Sequence, residues 1–167
     1  MVPLQFKSKD QSYNTPTGIK NLKDAVASTA TVSANELQFS SASSFDNTLQ
    51  GLVPGLNIIS SSGMPGTMSW INMGGISSMN CRNEPLLIID GMIFDYNYAS
   101  EGVMEGFSLN PLDIVDYQDI SDISAIRSGN GYFGSLSSNG IIYLNTEQKS
   151  EASTLIQISA YGGIGLM

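Results

Sequence analysis

The sequence predicts an α+β domain, a small mixed β-sheet with short helices and long loops. Short apolar runs bounded by Gly, Pro, Ser and Asn recur along the chain, which is the pattern of strands. Seventeen glycines among 167 residues supply turns rather than long helices. Hydrophobic residues make up 41% of the chain and charged residues only 13%, a balance that buries a core and does not fit a solvated disordered chain.

In chain order, residues 1–25 are polar and weakly patterned and read as a flexible lead-in. Residues 32–39 (VSANELQF) have the capping-box spacing, Ser33 with Glu36 three residues on, and predict a short helix. A second short helix is predicted after Ser44, carrying Phe45, Asp46, Leu49 and Leu52; Asp46 suits the positive end of its dipole. Gly51, Pro54 and Gly55 stop it. Residues 56–59 form an apolar strand, 60–66 (SSSGMPG) a turn, and 67–73 a second strand with Trp70 packed on one face. Residues 86–89 are the clearest strand; Asp90-Gly91 and then Ile93 and Phe94 predict a tight hairpin. An irregular loop covers 96–109. Strands follow at 123–127 and 141–145, with a short helical turn between them at 131–136, and a last strand at 155–161.

Composition excludes several functions. The net charge is −8, and seven scattered basic residues provide no stripe for nucleic acid or anionic lipid. With no histidine and a single cysteine, Cys81, the usual general base, an intrachain disulfide and a structural zinc site are all missing. No cofactor is implied. Residues 1–10 contain no apolar signal-peptide core, and no run approaches the roughly 20 apolar residues of a membrane helix.

Several segments, taken in order, resemble those of one family. Residues 47–59 (NTLQGLVPGLNII) match a helix running through a Pro-Gly turn into a strand, with Pro54 and Gly55 at the turn. The serine-rich turn follows, with Ser62, Gly63, Pro65 and Gly66, and then Gly75. Residues 85–91 (PLLIIDG) end on Asp90 and Gly91. Asn110-Pro111-Leu112 precedes Asp119-Ile120 and Ile123. Tyr132, Gly134, Asn139 and Gly140 mark the closing turn and last strand, and Val32-Ser33-Ala34 with Glu36-Leu37 fits the opening segment. Over about residues 26–148 the chain resembles the plug domain of TonB-dependent outer-membrane receptors of the SusC/RagA type.

The resemblance implies a gating and binding module, not an enzyme. It implies a plug at 26–148 lodged in an outer-membrane β-barrel, its own or a partner's. Residues 149–167 would be a linker and the start of the first barrel strand. The implied partners are TonB, a SusD-like lipoprotein and an oligosaccharide or peptide ligand. Two arginines usual in the family's strand after the serine-rich turn correspond here to Asn72 and Gly74, and a usual glutamate to Ser124; Arg127 keeps one basic position. In the family such charges latch the plug to the barrel wall. Their loss fits a divergent paralogue, or a free-standing plug-like periplasmic protein that stoppers or binds another assembly.

Other constellations carry less. Gly129-Asn130-Gly131-Tyr132-Phe133-Gly134 matches the dinucleotide fingerprint, but residues 137–145 read as turn and strand, so the required helix is missing. Asp113, Asp116, Asp119 and Asp122 recur every third residue, without the alternation of a calcium loop, and read as a solvated acidic face. Asp90 and Asp95 as an acid/base pair, or Cys81 beside Arg82 as a reactive thiol, lack a visible pocket or a histidine partner. Tyr96, Tyr98, Met104 and Phe107 lie on the long loop. They are candidates for stacking on a sugar or holding a peptide, against the alternative that they pack beneath the loop or on a barrel wall.

Overall fold

The computed structural model describes residues 12–15, 18–21, 24–25, 27–33, 44–60, 62–64, 66–67, 69–81, 83–94, 110, 112, 115, 119–127, 131 and 133–146. They form nine strands: β1 (Ser12–Thr15), β2 (Gly18–Asn21), β3 (Thr29–Ser33), β4 (Leu56–Ser60), β5 (Ser69–Met73), β6 (Leu86–Ile89), β7 (Met92–Phe94), β8 (Ile120–Ile126) and β9 (Ile141–Thr146). One α-helix, α1 (Phe45–Leu49), and a 3₁₀ turn (Gly134–Ser137) complete the described elements.

Strands β3-β8-β9-β6-β7 make one five-stranded sheet, antiparallel except for the parallel β9–β6 pair. β6, one strand of that parallel pair, reads Leu-Leu-Ile-Ile because both its faces are covered. On one face Val32, Ile123, Ala125, Ile142, Leu144 and Leu87 pack against Phe45 and Leu49 of α1 and against the β4–β5 hairpin. Leu86, Ile88, Ile126, Ile141 and Tyr143 point the other way and meet Tyr13 and Phe133.

The parity breaks once, and the break is functional for packing. Ile120 shares even numbering with Ile126 but packs on the opposite face, beside Ile123. The ladder between β8 and β9 shifts register between Ile120 and Asp122, leaving Ser121 as an inserted residue. A bulge of this kind turns the strand by one residue and delivers Ile120 to the core, fully buried.

Several expectations change. Residues 12–21, read as lead-in, hold the β1–β2 hairpin, because Tyr13 has a covered sheet face to pack on. Val32 and Ser33 belong to strand β3 and not to a helix: pairing with Ile123 and Asp122 of β8 outweighs the local capping signal. The rest of that predicted helix, the 96–109 loop and the strand at 155–161 lie outside the described residues. Helix α1 forms where expected but is one turn long, with Phe45 and Leu49 on its buried side and Gly51 at φ +85 closing it. Ser44 makes no side-chain cap; its hydroxyl accepts from Asn47 Nδ2 at 2.9 Å. Asn47 Oδ1 in turn accepts from Ser60 Oγ at 2.8 Å, which ties the hairpin to α1.

Candidate functional site

The motif residues collect at the two ends of the sheet. At one end β4, β6 and β9 begin and β5 and β8 finish. Gly55 follows exposed Pro54 with φ +83, and its carbonyl accepts the Gly74 N–H at 3.0 Å. Arg127, just past β8, donates its own N–H to Ser28 O at 2.9 Å. Its side chain lies across the hairpin: a Cβ on Gly55 would stand 2.9 Å from Arg127 Cζ, and one on Gly74 3.5 Å from Nε. The guanidinium therefore lies closely against the Gly55 backbone and in ordinary contact range of Gly74, and Arg127 is exposed.

The positions read as neutral latch sites are absorbed into the fold. Asn72 is buried and its Oδ1 accepts the Gly75 N–H at 2.9 Å, closing the turn after β5. Ser124 is fully buried in β8, opposite Thr31 and Tyr143.

Beside them, Asn83 closes back on Ser77 and Ser78, a feature that sequence reasoning did not single out. Asn83 Oδ1 accepts from the backbone N–H of Ser77 (2.8 Å) and of Ser78 (2.9 Å), and Asn83 Nδ2 donates to Ser78 O at 2.8 Å. Ser77 Oγ donates to Asn139 Oδ1 at 2.6 Å, fixing the loop to the turn before β9. The Ser/Asn-rich composition was the available signal, since both side chains close turns on nearby backbone. Met79, at the tip, is 98% exposed, and Cys81 is exposed as well.

At the opposite end lie the serine-rich turn and the Asp90-Gly91 turn. Ser62 Oγ accepts from Met64 N–H at 3.2 Å, Thr67 Oγ1 donates to Met64 O at 2.7 Å, and Gly66 O accepts the Asn110 N–H at 3.1 Å. Gly63 is exposed in this turn; Pro65 lies outside the described residues. Asp90 (φ 48) and Gly91 (φ 83) both have positive φ between paired Ile89 and Met92, which is the primed two-residue hairpin turn. Asp122 is not simply a solvated charge: its Oδ2 accepts from Asn145 Nδ2 at 3.0 Å.

Of the remaining candidates, Gly134 opens the 3₁₀ turn at φ 56, and that turn leads into β9, so no helix follows the glycine fingerprint. Tyr132, Tyr96, Tyr98, Met104 and Phe107 lie outside the described residues. No group of three or more metal-ligating side chains occurs among the described residues.

The arrangement is matched elsewhere. The family model of the TonB-dependent receptor plug domain matches residues 21–141. The chain belongs to the TonB-dependent receptor plug domain family. Within that family it is SusC/RagA-like. It is 33% identical over 126 residues to the TonB-dependent receptor SusC of Bacteroides thetaiotaomicron, covering 75% of this chain and 12% of that protein. It is 29% identical over 137 residues to the TonB-dependent receptor P26 of Formosa agariphila, covering 82% of this chain and 13% of that one. The structure of the RagAB peptide importer in its closed-closed state superposes at a TM-score of 0.59 with 25% identity, covering 74% of this chain and 12% of that chain. A ferric enterobactin receptor of Pseudomonas aeruginosa shares the plug fold at a TM-score of 0.54 and 19% identity, over 74% of this chain and 18% of that chain. The plug thus spans about an eighth of the SusC and P26 relatives, and those relatives are receptors rather than enzymes.

Proposed function

We propose that this plug occludes the barrel of a SusC/RagA-type outer-membrane importer of oligosaccharides or peptides, without catalysis, and moves when energised TonB engages it. The observation that carries this reading is the ordered match to SusC across most of the domain. A SusD-like lipoprotein would close the extracellular side, and the loop bearing Tyr96, Tyr98, Met104 and Phe107 would meet the ligand. Arg127 is the charge assigned to hold the barrel wall: its head is exposed and seated over Gly55 and Gly74. Movement under load suits short elements joined by turns, which open locally at lower cost than long ones.

One observation favours a second reading, a free-standing plug-like periplasmic protein. Asn72 and Ser124 are neutral and buried, and Gly74 has no side chain, so the charges that usually face the wall are absent at three positions.

A western blot of separated membrane and soluble fractions of the source cell, probed with an antibody to this segment, decides between them. The expected result is a band of receptor size in the outer membrane. A band near 17.8 kDa outside the barrel fraction would overturn the importer reading in favour of the second.

A further inference from the structure

β9 is the central strand of the five, and its last two residues, Asn145 and Thr146, are each held by a carboxylate from a different neighbour. On the β8 side Asn145 Nδ2 donates to Asp122 Oδ2 at 3.0 Å, and Ser121 Oγ donates to Asn145 O at 3.1 Å. On the β6 side the Thr146 N–H donates to Asp90 Oδ1 at 2.8 Å and Thr146 Oγ1 donates to Asp90 Oδ2 at 2.7 Å.

The parallel ladder explains why Asp90 does this. Its N–H donates to Leu144 O at 3.0 Å, so the next rung would run from the Thr146 N–H to the Asp90 carbonyl. At φ 48 the backbone of Asp90 has already turned toward β7. Its carboxylate receives that rung instead and takes the threonine hydroxyl as well. Left-handed backbone on a residue other than glycine is uncommon, and here it is what carries the carboxylate across.

We propose that Asp90 is a clasp that couples the β6–β7 turn to the point where the chain leaves the sheet. With the turn in its left-handed form, β9 is closed to its last residue. Displacing the turn withdraws both acceptors from Thr146 and frees the segment that follows. Asp122 and Ser121 keep Asn145 in place, so the release stays local. The use of such a clasp, passing a disturbance at the turn to the segment after Thr146, rests on the plug reading; the coupling itself does not.

Amide hydrogen exchange on the intact chain tests it. Asp90→Gly keeps the positive φ that the turn requires while removing the carboxylate. Exchange at Thr146 is expected to rise about tenfold, while Leu87 and Ile88 in β6 keep their protection. Asp90→Asn tolerates the same backbone, still offers an acceptor, and retains most of the protection. Thr146→Val removes only the hydroxyl bond, gives a smaller rise, and adds nothing to Asp90→Gly in a double-mutant cycle. An unchanged Thr146 rate in Asp90→Gly overturns the proposal. If Asp90→Gly does not fold, an unchanged Thr146 rate in Thr146→Val overturns it equally. Neither result depends on where the protein is found in the cell.

Discussion

Gly140 begins the approach to β9 directly beneath β5. A Cβ there would stand 2.8 Å from Met73 Sδ and 3.0 Å from the Ile126 carbonyl oxygen, and φ is +98. The thioether can swing away, but the backbone oxygen cannot. Gly91, at φ +83, has nothing within 4 Å of such an atom. Gly91→Ala is therefore expected to lower stability by about 1 kcal/mol from the backbone alone, and Gly140→Ala by about 2–3 kcal/mol. Denaturant midpoints of the two variants measure the difference; equal losses would mean that the close approach at Gly140 is not felt. Asp46 poses the opposite case: it is fully buried in α1, and neither carboxylate oxygen has a hydrogen-bond partner among the described residues. Replacing it with Leu, similar in reach and apolar, is expected to raise stability by about 1 kcal/mol or more, because a buried polar group without a partner is costly. A lowered melting temperature for Asp46→Leu would contradict this. The sequence marked Asp46 as a helix-dipole residue, a role that is legible locally. Its burial was not, because burial is set by how α1 packs in the fold and not by the residues around Asp46 in the chain.

Among the elements, the apolar strands were the most legible. Leu-Leu-Ile-Ile at β6 and Ile-Ile-Tyr-Leu within β9 announce strands covered on both faces. β1 and β2 were not legible: their residues Ser-Tyr-Asn-Thr and Gly-Ile-Lys-Asn carry almost no hydrophobic period, and only Tyr13 is driven into the core. β3 was obscured by a helix-start pattern whose local preference yields to pairing with β8. The bulge at Ser121 could not be read either, since Ile120 and Ile123 match a helical spacing as well as a shifted strand. Deleting Ser121 would restore plain alternation and leave Ile120 opposite Thr146 on the face of Ile123. The expected loss is about 1 kcal/mol, from the Ser121 hydroxyl bond to Asn145 O. Leu144→Ala, fully buried on the helix-covered face, should cost more, about 2–5 kcal/mol. If the denaturant midpoint shows the deletion costing as much as Leu144→Ala, Ile120 does not keep its place without the bulge.

For the molecule as a whole, the family was legible from turns and strand ends, because Pro54-Gly55, Asp90-Gly91 and Asn139-Gly140 are each fixed by backbone geometry that few residues satisfy. The site was legible in outline only. Asn72 and Ser124 could be recognised as uncharged, but not as buried, and the approach of Arg127 to Gly55 joins residues far apart in the chain. The β1–β2 hairpin covers one sheet face mainly through Tyr13. Removing residues 12–21 should therefore lower the melting temperature yet leave the amides of β8 and β9 the slowest to exchange. Loss of protection throughout the sheet would show that the hairpin is integral to it.

The points of attachment have a mechanical meaning. The chain joins the sheet at Thr29, opposite Ile126, and leaves it at Thr146, opposite Ile120, which is the other end of β8. A pull between those two points runs along the strands, so the rungs of the β3–β8 and β8–β9 ladders share it in shear. The β1–β2 hairpin is strung differently: its ends, Ser12 and Asn21, are paired with each other. Tension applied on the N-terminal side of Ser12 would open that hairpin rung by rung, like a zipper, before the five-stranded sheet begins to slide.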